Sequence, residues 1–346
     1  MSDARRTVAF ADPRIEMAHG AGGKASRRLV EGLFAPLFGD PLPLSLDDAA
    51  PLEIDGIRLA LTADGFVVRP LRFPGGSIGE LAVNGTVNDL AVSGARPVAL
   101  LATFVIEAGT PSQVVEDEAR AMAAAAARAG VRVVGGDTKV VEHGKADGLY
   151  ITTAGIGRID PRVRLDARSV RPGDRILLSG PIGDHGVTVM LARGAIELES
   201  AICSDTRPLC PLVEALVDAV APGLRWMRDP TRGGVATALN ELAREARVGI
   251  AVREEAVPVR DQVRGACELL GLDPLHIANE GQFLAVVAPE VAGAALDAVR
   301  RVPGGEAAAL VGEVREGSPG MVLAVAAYGT SRVVDMLVGD PLPRIC

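Results

Sequence analysis

Five aspartates in the first 140 residues stand beside Gly, Ala, Asn or one another: Asp47 and Asp48 in LDDAA, Asp64 in TADG, Asp89 in VNDLA and Asp137 in GGDTK. Small neighbours leave room for a bulky anion. Mg²⁺ prefers oxygen ligands and is commonly held by a few carboxylates together with substrate phosphates. Each aspartate taken alone reads as a cap or turn residue. Five in one region, expected at strand ends, point to a cation and a phosphorylated ligand.

Other stretches offer less specific chemistry. HGAGGK, from His19 to Lys24, could wrap phosphates with backbone N–H groups, or be only a flexible loop. A Walker A loop would need Gly at 18 and Ser or Thr at 25, where the chain has Ala18 and Ala25. GIGRID runs into Asp160, so it is not a dinucleotide fingerprint. RDPTRGG is a Gly-rich turn entering a helix, either an anion site or a simple cap. Glu280 in ANEG is a candidate general base or a turn residue, and His185 in GDHG a structural or capping one. His143 and His276 carry no metal-ligand spacing.

The chain ends DPLPRIC, with Cys346 beyond Pro341 and Pro343. An exposed terminal thiol invites oxidation, so either it is incidental or something comes to it. Cys203, Cys210, Cys267 and Cys346 form no C-x-x-C pair, which argues against a zinc ribbon or a redox dithiol. The three internal cysteines read as packing residues.

These side chains must be positioned by α/β elements. GIRLALTAD reads as a strand ending at Asp64 and ARPVALLATFVIE as another. A helix begins at TPSQ, with Thr110 as cap and Gln113 completing a capping box, and stops at Gly130. VRVVGGDTKVV is a strand broken at Gly135 and Gly136. The charged stretch from 160 to 174 marks a domain joint, after which the α/β alternation resumes. The division is a Gly-rich segment 1–40, an N-terminal domain 41–162, a C-terminal domain 163–335 and a mobile tail 336–346. Net charge is −8 and aromatics are 3%, which argues against a nucleic-acid partner or a polybasic membrane surface. The N-terminus lacks the apolar core of a signal peptide, and no 18-residue apolar run occurs, so a cytoplasmic location is expected.

LDDAA, VNGTVNDLAVSGARP, VVGGDTKVV, SGPIGDHG, RDPTRGGVATALNE and ANEG resemble, in that order, the superfamily of aminoimidazole ribonucleotide synthetase, selenophosphate synthetase and thiamine monophosphate kinase. Within it, the Pro-Arg-Ile-Cys end is similar to that of the HypE family of hydrogenase maturation proteins. The resemblance implies a two-domain PurM-like α/β fold with mixed sheets, ATP bound in the first domain, and a homodimer. It implies a carbamoyl group accepted on Cys346 from a HypF-like carbamoyltransferase, then ATP-dependent dehydration to a thiocyanate. The cyano group would pass to iron on a HypC–HypD-like scaffold. Motif matching assigns Asp47, Asp64, Asp89 and Asp137 to Mg²⁺, and Asp89, Asp137, Thr138, Asn88, Gly22 and Gly23 to the nucleotide. Glu280 would take the amide protons, with Lys139 stabilising negative charge. Two alternatives stand beside this: a small-molecule kinase or synthetase of the same superfamily, and a non-enzymatic carrier with a cysteine tail.

Overall fold

The structure is a computed structural model that describes residues 9–38, 47–194, 201–339 and 344–346. Pro341, Pro343 and the expected boundary at residue 40 lie outside the described residues. The chain opens with a helical stretch containing α1 (Lys24–Leu29) and α2 (Ala35–Leu37), joined by a π turn. The first sheet then has β1 (Ala50–Ile54), β2 (Ile57–Phe66), β5 (Ala95–Glu107), β6 (Arg132–Val141) and β7 (Leu149–Ile159), in the order β1-β2-β7-β5-β6. A small hairpin, β3 (Arg72–Phe73) and β4 (Gly76–Ser77), leads into α3 (Ile78–Val92). Within this sheet β5 and β6 pair in parallel, as the crossover helix α4 (Ser112–Ala129) between them requires.

The second sheet has β8 (Arg175–Leu178), β9 (Leu224–Arg228), β10 (Gly249–Arg253), β11 (Leu284–Val287), β12 (Ala309–Arg315), β13 (Val322–Val325) and β14 (Ser331–Val333). Its order is β14-β13-β10-β12-β8-β11-β9, again mixed. Helices α5 (Asp184–Ala192), α6 (Cys210–Val220), α7 (Gly234–Ala246), α8 (Asp261–Leu270) and α9 (Ala292–Arg300) pack around it. No helix among the described residues is long and apolar enough to cross a membrane.

Three local expectations are corrected. Asp89 is not at a strand end but in the last full turn of α3, whose fifteen residues are buried except Glu80 and Asp89. A helix covered on every side shows no 3.6-residue alternation, so its sequence reads like a buried strand. GGDTK does not break its strand: β6 runs through Gly135 and Gly136, and the register slips at Val134 instead. Thr110 does not cap α4, because its hydroxyl donates to the Gly148 carbonyl and Pro111 takes the cap position. Gly130 does end α4, at φ +66°.

Among the described residues nothing covers the outer face of the first sheet. Alternation along β2 turns Leu61, Ala63 and Gly65 outward and Thr62, Asp64 and Phe66 inward. The row that contains Ala63 continues through Ala154, Leu101 and Gly135, so apolar residues line this outer surface.

Candidate active site

The inner face of β2 meets α3 in a reciprocal arrangement. Thr62 on the strand donates to the Asp89 carboxylate on the helix at 2.7 Å, and Thr86 on the helix donates to Asp64 on the strand at 3.2 Å. Thr62 and Asp64 share a face because they are two residues apart on a strand; Thr86 and Asp89 do because they are one turn apart on a helix. Thr86 in turn touches Thr153 of β7 at 2.5 Å.

Asp89 converges with Asp48, just before β1, and Asp229, just after β9. One carboxylate oxygen from each lies within 4.8 Å of the others. Burial, followed by repulsion from Asp64, Asp229 and Asp48, pushes the Asp89 carboxyl well above the usual carboxylate range. Asp229 is raised for the same reasons, and Asp48 is pushed up to about 6, chiefly by burial and against the pull of Arg228. Arg228 is shared, 3.0 Å from Asp48 and 3.1 Å from Glu241. Three carboxylates held together in low dielectric are costly as anions, and a divalent cation with oxygen preference removes that cost. The donor set therefore fits Mg²⁺.

Beside the trio opens a cleft of about 390 Å³, with Gly22, Gly23, Arg27, Arg232, Asp64 and Thr237 among its lining residues. Gly22 has φ +74°, and a Cβ on it would come within 2.8 Å of Arg232 Cβ. A Cβ on Gly23 would lie 2.4 Å from the Leu337 carbonyl oxygen. Both glycines thus let the N-terminal segment close onto the second domain and onto the base of the tail. At the start of α7, Gly233 and Gly234 both have positive φ, and the buried Thr237 hydroxyl has no hydrogen-bond partner. A helix N-terminus with an unanswered hydroxyl and a neighbouring arginine suits a phosphate. Lys24 is committed elsewhere, 2.6 Å from Asp335, and His19 is tied to Asp12 at 2.8 Å.

Glu280 is buried just ahead of β11, and burial, then Asp205 and Asp64, raises its carboxyl to about 8. Its N–H and that of Gly281 donate to the Asp205 carboxylate at 3.1 and 3.2 Å. The end of the chain comes to the same seam. Ile345 is 2% exposed and shares a small pocket with Gly23, Arg232 and Thr237, residues that also line the cleft. The Cys346 main-chain oxygen accepts from the Val67 N–H at 3.0 Å, one residue beyond β2. No disulfide involves any of the four cysteines.

Of the residues singled out in sequence, Asp48, Asp64, Asp89, Gly22, Gly23, Glu280 and Cys346 gather around this seam. Asp47 is exposed beside Asp48 and outside the trio. Asp137, Thr138 and Lys139 are not brought here within the chain. Asp137 pairs with Thr103 in the row of Thr152 and Gly65, on the face opposite to Asp64 and, at three strand spacings from Gly65, about 14 Å away. It is exposed and ion-paired with Lys139 at 2.7 Å. Lys139 is therefore not adjacent to Glu280 within one chain. Asn88 is corrected more firmly. Its amide donates to the carbonyls of Arg207 and Glu280 and its oxygen accepts from Leu209 N–H, so its side chain clamps the two domains and does not line the cleft. Sequence reasoning passed over Asp229 and Arg232; both lie in the RDPTRGG turn, whose only signal was an Arg- and Asp-bearing glycine turn before a helix.

Residues 46–159 match the N-terminal domain model of AIR synthase related proteins, and residues 171–323 match the C-terminal one. The chain is 48% identical to carbamoyl dehydratase HypE of Rhizobium leguminosarum bv. viciae, over 99% of this chain and 98% of the relative. A HypE crystal structure in complex with ATP superposes with a TM-score of 0.80 at 43% identity, covering 96% of this chain and 100% of that one. HypE from a HypE–HypF complex superposes with a TM-score of 0.85 at 43% identity, covering 89% and 99%. With both halves matched and near-complete coverage of its relatives, the chain belongs to the carbamoyl dehydratase HypE family of AIR synthase related proteins.

Proposed function

We propose that this chain is an ATP-dependent carbamoyl dehydratase that acts on its own terminus, converting an S-carboxamide on Cys346 to a thiocyanate destined for the iron of a [NiFe]-hydrogenase centre. The observation that carries this reading is the docking of the Arg344–Cys346 end onto the chain, with Ile345 sharing a small pocket with Gly23, Arg232 and Thr237 of the acidic cleft. A small-molecule kinase has no need of that contact, and a passive carrier has no need of the cleft.

An amide oxygen is a poor leaving group, and phosphorylation makes it a good one. Carboxamide and ATP become thiocyanate, ADP and phosphate: the oxygen departs with the phosphate and the nitrogen gives up two protons. Asp48, Asp89 and Asp229 would hold Mg²⁺, which neutralises charge on the transferring phosphoryl oxygens. Asp64 stands beside them on the shared face with Thr86. Arg232 and the start of α7 offer donors to phosphate oxygens. Glu280, with a pKa of about 8, is matched to taking protons near neutral pH.

A HypF-like carbamoyltransferase is the proposed loading partner, and a HypC–HypD-like scaffold the proposed acceptor. The uncovered outer face of the first sheet supports pairing with a second copy through that face. Asp137, Thr138 and Lys139 lie on its edge strand, so their nucleotide and charge-stabilising roles are proposed to be exercised on the partner chain's site.

The test is intact mass of the full chain after loading with its transferase and carbamoyl phosphate. The isolated adduct should lose one water when Mg-ATP is added, and Cys346→Ala should carry no adduct. Absence of any adduct on Cys346 while ATP is still hydrolysed would overturn the reading.

A further inference from the structure

The last three residues are held by side chains that the chemistry above does not use. Arg344 Nε donates to the Val67 carbonyl at 3.0 Å, and the Val67 N–H donates to the Cys346 main-chain oxygen at the same distance. One residue thus brackets the tripeptide from both ends. Arg344 Nη1 lies 2.6 Å from the Asp147 carboxylate, and its guanidinium is 5.8 Å from the centre of the Tyr150 ring. Arg193 donates to the Arg344 carbonyl. Arg344 itself has φ +55°, a conformation that a residue with a Cβ holds only where its surroundings impose it.

The middle residue is read by a buried histidine. His185 Nε2 lies 2.8 Å from the Ile345 carbonyl oxygen and Nδ1 lies 2.8 Å from Ser204 Oγ. A carbonyl only accepts, so Nε2 bears the proton and Nδ1 accepts from the serine hydroxyl. The ring is fully buried, edge-on to Phe73 at 5.5 Å between centroids, so its Nε2–H answers to the tail and not to bulk water. Ser204 is followed by Asp205, whose carboxylate receives the N–H groups of Glu280 and Gly281. One loop therefore touches both the tail's latch and the candidate base.

From this the structure assigns His185 and Asp147 as positioning residues. With Val67 they form a receptor for the Arg-Ile-Cys end, and His185, through Ser204 and Asp205, ties seating of the tail to the placement of Glu280. The receptor stands on the contacts alone; its effect on turnover rests on the dehydratase reading. A seated tail is needed for chemistry on Cys346, whereas loading by another protein needs the tail withdrawn. Weakening the receptor must therefore slow water loss without slowing loading.

Three measurements on the full chain test this, comparing wild type with Arg344→Ala, Asp147→Asn, His185→Ala and His185→Asn. The first is the rate at which iodoacetamide modifies Cys346, followed on the Asp-N peptide 340–346. The second is the rate of carbamoylation by the transferase. The third is the single-turnover rate of water loss from the isolated adduct on adding Mg-ATP. Arg344→Ala, Asp147→Asn and His185→Ala should each raise alkylation, keep or raise loading, and slow water loss by about tenfold as the seated population falls. His185→Asn, whose amide can still donate to the carbonyl, should recover part of the loss. Arg344→Ala changes only the terminus, so it stays informative should the buried His185→Ala fail to fold. Unchanged Cys346 alkylation in both Arg344→Ala and Asp147→Asn would overturn the receptor, as would loading and water loss falling together. If water is lost from no protein, the dehydratase reading falls and the alkylation rates still decide the receptor.

Discussion

Glu280 owes its pKa of about 8 first to burial and then to the negative neighbours Asp205 and Asp64, and that order sets how activity should respond to pH. As a base it works only when ionised, so below pH 8 single-turnover water loss should fall about tenfold per unit. Glu280→Gln should abolish that slope and slow the step by at least about 10²-fold; a variant that kept the slope would assign it to another group. The acidic trio makes a separate prediction about stability. Asp48, Asp89 and Asp229 have folded-state pKa values above their unfolded ones, so the folded state binds more protons. Without divalent cations, stability should be fullest below the unfolded carboxylate range and fall as pH rises through the folded values, up past about 6 for Asp48. Asp89→Asn should raise Tm in EDTA at pH 8 by roughly 2–4 °C. Magnesium should raise Tm of the wild type and leave this variant nearly unmoved, both read by thermal unfolding.

The pairing of β2 with α3 decides which carboxylates meet. Several strands were legible as apolar runs: the expected strands at residues 56–64 and 95–107 are close to the observed β2 and β5. What pattern alone did not supply was which face each acidic residue occupied. Asp64 and Asp137 looked equivalent as carboxylates beside glycine, yet pairing along the sheet puts them on opposite faces. Asp229 went unnoticed because a glycine turn before a helix is most often only a cap, and its importance depends on β9 delivering it to α3 from the other domain. Asn88 lies away from the cleft for a related reason: its neighbour in sequence, Asp89, faces the cleft, while a step of about 100° around a helix turns Asn88 to the domain seam. Asn88→Ala should then cost about 2–3 kcal/mol of stability, from three buried hydrogen bonds, while leaving the KM for ATP within about twofold. A selective rise in KM without loss of Tm would return Asn88 to the nucleotide.

At the level of the whole molecule, the two mixed sheets were foreseen, and the uncovered apolar face of the first is what the single chain leaves unresolved by itself. Leu101 is 50% exposed at the centre of that face. Leu101→Glu should convert the proposed dimer to a monomer on multi-angle light scattering, because a buried unpaired charge is costly at an interface. Should Asp137 serve the partner's site, Asp89→Asn and Asp137→Asn homodimers will each be inactive. A mixed dimer of the two will regain about half of wild-type activity, since one of its two sites keeps both carboxylates. No recovery in mixed dimers would confine Asp137 to a role within its own chain.

The docked terminus also fixes a stoichiometry. The sulfur that carries the reacting group is part of the polypeptide, and each chain has one Cys346, so the protein is consumed as a reagent even as it catalyses. In the absence of an acceptor, product-forming turnover must stop after one event per chain. The amplitude of the water-loss burst then counts functional termini directly, and sustained flux is set by how fast an acceptor empties the thiol and a donor refills it.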